Sequence, residues 1–150
     1  MEETYHGKWH GTEETLRRDG FGLRFDVTVA VDSDAMIGFA AWRPTYDLHY
    51  CVAGLEVIDM FVLPPYRGRG IAPCLLARVA ADGAGKGATY MTGGAVETGS
   101  ARRLYRRSTV THGGQPYLSG KAFRALAELE GASPRQFVAQ LPPEEWNFQP

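Results

Sequence analysis

Val62-Leu63-Pro64-Pro65-Tyr66-Arg67-Gly68-Arg69-Gly70-Ile71-Ala72 carries the end of an apolar strand into a proline turn, then into an Arg/Gly-rich loop that runs directly into a helix. That order builds an anion site. Glycine lets the backbone approach a ligand closely and adopt positive φ, so successive N–H groups can converge on phosphate oxygens at the positive end of a helix dipole. A P-loop needs Gly-Lys-Ser/Thr at the close of its loop, and a dinucleotide fold needs Gly-x-Gly-x-x-Gly after an opening strand. Neither pattern is present. The plain alternative is a strand-to-helix connection that happens to be rich in glycine.

Downstream of the loop, Ala72, Leu75, Leu76, Val79 and Ala80 fall on one helical face with Arg78 and Asp82 outside, and Gly83, Gly85 and Gly87 mark the end. Ala88 to Val96 then reads as a strand. Strand, crossover helix and strand make a right-handed βαβ unit, so the flanking strands should be parallel neighbours or nearly so. Upstream, Leu55 to Val62 is the strand that feeds the loop. Before it, Phe25 to Val31 and Met36 to Trp42 alternate as two strands around Asp32-Ser33-Asp34, a hairpin, and Thr12 to Arg18 reads as a short helix capped by Thr12. Pro44, Tyr46 and Asp47 suggest a loop between the second and third strands. Gly99 to Arg107 reads as a further helix and Gln115 to Leu118 as a short strand. Ser119 is the expected N-cap of a helix carrying Ala122, Phe123, Leu126, Ala127 and Leu129, and Ser133-Pro134 opens another that reaches Leu141.

These elements amount to one α/β domain of the mixed α+β kind over residues 1–150, with 119–141 a helical C-terminal segment. Its 150 residues, 44% hydrophobic, suffice for one sizeable core. The N-terminal Met-Glu-Glu-Thr-Tyr-His lacks the basic and apolar regions of a signal peptide, and no apolar run approaches the ~20 residues of a membrane span, so the expected location is the cytoplasm with no membrane partner. A net charge of −1 argues against a dedicated nucleic-acid surface. Cys51 and Cys74 form neither a disulfide framework nor a metal set, and no metal is expected.

Arg67-x-x-Gly70-x-Ala72, preceded by Val62-x-Pro64-x-Tyr66, closely resembles the acyl-CoA pyrophosphate loop of the GNAT superfamily of N-acyltransferases. The resemblance runs from about Asp19 to Tyr105, and Leu55 to Leu76 looks most like the polyamine and thialysine acetyltransferase branch. It implies a GNAT-like acyl-CoA N-acyltransferase fold, a central mixed but mostly antiparallel sheet with a βαβ core and flanking helices. Acetyl-CoA is the implied co-substrate. In that fold the strand carrying Asp59 splays away from the next parallel strand and the pantetheine arm lies between them. Backbone groups of Phe61 and Val62 would pair with the pantetheine amides, and Arg67, Gly68, Arg69, Gly70, Ile71 and Ala72 would hold the pyrophosphate. Pro73 departs from the family pattern, and having no N–H it cannot donate to phosphate.

Transfer to an amine requires a neutral nucleophile, a thioester carbonyl beside it and a proton for the departing thiolate. Tyr105, in Ala101-Arg102-Arg103-Leu104-Tyr105, matches a family tyrosine that can act as the general acid; its alternative is a helix aromatic packed on the sheet. Thr98 stands where the family has Asn, and its hydroxyl would cap the helix or reach CoA. The branch typically carries Glu-Asp where this chain has Ile58-Asp59, so Asp59 is the first candidate to take the amine proton, Glu56 the second and water a third. On a regular strand Glu56 and Asp59 lie on opposite faces, so one at most should face the acceptor unless a bulge intervenes. Tyr46, Asp47 and Tyr50 mix ring faces with a carboxylate, suited to a cationic acceptor or to a surface loop. Arg102, Arg103, Arg106 and Arg107 suit either the CoA 3′-phosphate or a solvated helix face.

The expected activity is acetyl transfer, without a covalent intermediate, to a primary amine of a small molecule that is polyamine-, amino-acid- or aminoglycoside-like. The alternatives are transfer to protein amines and a non-catalytic acyl-CoA-binding module. Only about 24 residues precede the first clear strand, where the family usually has a further strand and helix, and a homodimer is one way to cover the resulting edge.

Overall fold

The computed structural model describes residues 9–94, 110–112 and 115–129. Its elements in chain order are α1 (Glu13–Asp19), β1 (Asp26–Asp32), β2 (Ala35–Asp47), β3 (Val52–Val62), a 3-10 turn (Pro64–Tyr66), α2 (Ile71–Gly85), β4 (Tyr90–Gly93), β5 (Val110–His112), β6 (Gln115–Ser119) and α3 (Gly120–Ala127). The strands form one sheet in the order β1-β2-β3-β4-β6-β5. Only the β3/β4 pair, joined through α2, is parallel; the others are antiparallel.

The β1/β2 hairpin closes over Ser33 and Asp34, with Asp32 opposite Ala35 and Ser33 at φ +55°. β2 is longer than the sequence suggests and includes Pro44, Tyr46 and Asp47. Pro44 pairs with Leu55 of β3, but β1 ends its pairing at Asp26 opposite Trp42. Beyond Trp42, β2 is therefore an edge, where a missing N–H breaks no ladder. The intervening turn is confined to 48–51, held by Asp47 Oδ1, which accepts the amides of His49 and Tyr50 at 2.9 and 3.1 Å.

α2 lies on one face of the sheet and buries Leu75, Leu76, Val79 and Ala80 against Trp42, Leu55, Val57 and Val62. α3 packs beside it through Ala122, Phe123 and Leu126, over Met91 and Leu118. Full burial of each large aliphatic or aromatic side chain contributes roughly 1.5–3 kcal/mol. Gly83 is buried where a Cβ would stand 2.1 Å from Leu55 Cδ2, so the helix approaches the sheet as closely as glycine permits. Trp42 is fixed at its rim by Thr28, whose Oγ1 accepts from Nε1 at 3.2 Å, and by Lys86, which lies 4.7 Å from the ring centroid and pairs with Asp26.

The C-terminal half meets some expectations and alters others. The strand read as Ala88 to Val96 is β4, Tyr90–Gly93, as far as the description runs. The strand expected at Gln115 to Leu118 is β6, and β5, which the sequence reading did not include, pairs with it in a short hairpin at the sheet edge. Ser119 occupies the N-cap position of α3, but its hydroxyl makes no capping bond; Oγ is buried without a partner among the described residues. The helices read at Gly99 to Arg107 and from Ser133 lie outside the described residues.

Candidate active site

The register of β2 against β3 shifts once, with Ala41 opposite Asp59 and Trp42 opposite Val57. Ile58 is thus a bulged residue, 45% exposed, and side-chain alternation changes phase there. Leu55, Val57 and Val62 are buried, with Met60 packed against the same core, whereas Glu56, Asp59 and Phe61 point to the opposite face. The bulge is the exception to the regular strand on which the two carboxylates would face apart. Glu56 and Asp59 share a face.

Among the described residues, pairing of β3 with β4 covers Leu55/Met91, Glu56/Thr92 and Val57/Gly93. The last of these pairs lies beside the bulge, and a bulge adds local twist to its strand. From Ile58 to Val62, β3 has no partner on its β4 side among the described residues, and at the end of that stretch the chain enters the Arg/Gly loop.

The loop is shaped by left-handed glycines. Gly68 has φ +78° and Gly70, the N-cap of α2, φ +88°; a Cβ at either would meet nothing within 4 Å, so conformation and not space requires glycine. The first helical bond runs from Cys74 N–H to the Gly70 carbonyl, and no described hydrogen bond uses the amides of Gly68, Arg69, Gly70, Ile71 or Ala72. No acidic side chain occupies the first turn of α2. Together these give a positive, donor-rich loop and first helical turn, with Pro73 as the one position lacking an N–H.

The two loop arginines fold back. Arg67 Nε donates to the Val62 carbonyl at 2.8 Å while its guanidinium lies 5.4 Å from the Phe61 ring centroid, and Arg69 lies 5.1 Å from that of Tyr66. Arg67 thus holds a carbonyl that the resemblance assigns to pantetheine.

On the carboxylate face, Arg43 stands opposite Glu56 and contacts a single oxygen, Oε2, through Nε at 2.8 Å and Nη2 at 2.7 Å. Thr45 stands opposite Gly54. The buried Tyr90 of β4 lays its ring across Gly54, where a Cβ would be 2.3 Å away, and its hydroxyl shares a hydrogen bond with Thr45. Burial raises the Tyr90 pKa above the usual tyrosine value; the Thr45 bond opposes that shift and the Asp47 and Glu56 carboxylates add to it.

Of the acceptor candidates, Asp47 is on this face but is used by the turn, and Tyr50 is in the turn with its ring edge-on to His49. Tyr46 pairs with Ala53 and alternates onto the α2 side, 55% exposed, away from Asp59. Tyr105 and Thr98 lie outside the described residues, as do Arg102, Arg103, Arg106 and Arg107. Sequence reasoning passed over Arg43, Thr45 and Tyr90. Gly54 within a β-rich run was the available signal, since glycine there marks close approach of another group. A groove of about 470 Å³ between α2 and α3, lined by Ala81, Ala84, Ala88, Phe123 and Ala127, contains none of the chemistry. No metal-ligating cluster occurs among the described residues, and no described helix is long and apolar enough to cross a membrane.

The family model of the acetyltransferase (GNAT) domain matches residues 24–108, more than half of the chain. No curated protein matches by sequence. Among solved structures, the chain is similar to an integron cassette protein from the mobile metagenome of V. cholerae, at 21% identity over 85% of each chain with a TM-score of 0.62. It is similar to an aminoglycoside acetyltransferase from an uncultured soil metagenomic sample, at 20% identity over 74% of this chain and 78% of that one with a TM-score of 0.63. A ribosomal-protein-alanine N-acetyltransferase from Brucella melitensis biovar Abortus is 21% identical over 59% of this chain and 67% of its own, with a TM-score of 0.52. The same architecture thus recurs on well-diverged sequences. With the family model matched over more than half of its length and the glycine loop at the head of α2 present, the chain belongs to the GNAT acetyltransferase domain family, and the domain is an acyltransferase.

Proposed function

We propose that the protein is an acetyl-CoA-dependent N-acetyltransferase that moves the acetyl group directly to a primary amine of a small molecule. The observation that carries this reading is the left-handed glycine loop at the head of α2, where no described hydrogen bond uses the amides of Gly68 to Ala72. In this reading the pyrophosphate sits on the amides of Gly68 to Ala72, aided by Arg67 and Arg69 once their side chains turn outward. The pantetheine arm lies along Phe61 and Val62 in the gap, after Arg67 releases the Val62 carbonyl. The thioester then reaches the Glu56/Asp59 face.

An alkylammonium acceptor with a pKa near 10.4 must lose a proton before attack. Asp59, the position the family resemblance marks, takes it directly or through water. The amine nitrogen bonds to the acetyl carbon, the C–S bond breaks, and Tyr105 protonates the leaving thiolate. Thr98 caps the Tyr105 helix or reaches CoA.

Calorimetric titration with acetyl-CoA, CoA and dephospho-CoA tests the first half. Saturable binding, lost in Gly70→Asp because the added carboxylate repels pyrophosphate and is strained at positive φ, is the expected result. Absence of binding in the wild type overturns the reading. An amine panel followed by thiol release tests the second half, with Tyr105→Phe expected to lower kcat by at least about tenfold and to alter its pH profile.

A further inference from the structure

We infer that the acceptor carries a carboxylate beside its amine, as an amino acid does, and that Arg43 is the residue that reads it. This rests on the acetyltransferase reading above.

Charge distribution over the carboxylate face carries the argument. A polycationic acceptor requires several carboxylates with no other task, because each ammonium left unpaired near a surface gains little. Glu56 is already neutralised by Arg43, and Asp47 accepts two amides of its own turn. Binding a second cation at Glu56 would mean displacing Arg43 or placing two positive charges side by side.

Arg43 itself has capacity to spare. A guanidinium presents five N–H groups, and here Nε and Nη2 converge on one oxygen of Glu56. The Arg43 side chain is 55% exposed while that of Glu56 is 27% exposed. Glu56 thus orients a planar fork whose outward edge matches a carboxylate in bidentate geometry.

Spacing agrees. Arg43 is two residues along β2 from Ala41, which stands opposite Asp59, and two strand residues span about 7 Å. Ala41 contributes only a methyl group, leaving room above that row. Hydrogen bonds of about 2.9 Å at each end leave a span that an amine and a carboxylate on one small molecule cover. The amine then lies at Asp59, beside the strand gap, and the carboxylate at Arg43.

The test measures kcat/KM at saturating acetyl-CoA for free amino acids, the corresponding carboxamides, a linear diamine and an aminoglycoside. Expected is a best acceptor that is a free acid, preferred over its own amide by at least about tenfold, with the difference in KM. Arg43→Ala should raise KM for the acid by far more than for the amide and so erase the preference. Arg43→Lys should restore part of it. Amides, diamines or aminoglycosides that match or exceed the acids would overturn the inference and leave the acetyltransferase reading intact. An Arg43→Ala variant that slows acid and amide equally would do the same, since a purely structural role moves both. A protein that binds no acetyl-CoA and acetylates nothing in the panel would overturn both readings.

Discussion

Asp59 and Glu56 share a face of β3, yet their surroundings differ. Glu56 is paired with Arg43, and Asp59 stands opposite the small Ala41 beside the bulge. Replacing Asp59 with Asn keeps the shape and removes the base, so kcat/KM with a good acceptor should fall about a hundredfold, within the usual range for general-base catalysis. A fall below about fivefold would assign the proton to water. Ser119 poses a different question at the same scale. Its hydroxyl is buried, caps nothing and has no partner among the described residues. A buried hydroxyl without a hydrogen bond is a liability to the fold. Ser119→Ala should therefore leave stability unchanged or raise it by up to about 1 kcal/mol, read from the midpoint of urea unfolding. A loss of about 1 kcal/mol, the ordinary consequence of removing an N-cap, would show that the hydroxyl has a partner after all.

At the scale of elements, β3 organises the site. Gly54 admits the Tyr90 ring, Glu56 and Asp59 line one face, Ile58 resets the phase, and Phe61 and Val62 lead toward the glycine loop. A methyl at Gly54 would stand 2.3 Å from the ring, so Gly54→Ala must push Tyr90 off Thr45. Overpacking of this kind typically costs about 1–3 kcal/mol. Expected is a loss of that size in denaturant unfolding with a changed near-ultraviolet spectrum; an unchanged spectrum at full stability would show that Tyr90 has room to move. The same element shows what was legible in the sequence and what was not. The glycine loop, the helix and the parallel crossover were readable because glycine chemistry and a 3.6-residue period are local signals. The bulge was not, because Val57, Ile58, Met60, Phe61 and Val62 are apolar in both phases and alternation carries no information there. Nor was the length of β2, since Pro44 reads as a loop residue until β1 is known to end its pairing at Trp42. The Arg43/Glu56 pair spans two strands, and its register depends on the hairpin between them.

Across the whole molecule, one buried side chain ties three strands together. Tyr90 belongs to β4, crosses β3 at Gly54 and reaches Thr45 of β2, so its protonation state bears on the half of the sheet that supports the site. Its pKa in the folded protein is raised, chiefly by burial, with the Thr45 bond opposing and the nearby carboxylates of Asp47 and Glu56 adding. A group whose pKa is higher folded than unfolded contributes stability that is fully present below the unfolded value, near 10 for tyrosine, and is lost as pH rises through the folded value. The unfolded chain releases the Tyr90 proton first, so alkali favours unfolding. Unfolding midpoints measured between about pH 9 and pH 11 should therefore fall more steeply in the wild type than in Tyr90→Phe, which has no proton to release there. At neutral pH the wild type is the more stable of the two, because the phenylalanine variant lacks the Thr45 bond, at a cost of about 0.5–1.5 kcal/mol. The two stability curves should accordingly converge as pH rises. Parallel curves would mean that alkaline unfolding begins elsewhere, and that Tyr90 supports the acceptor face through packing alone.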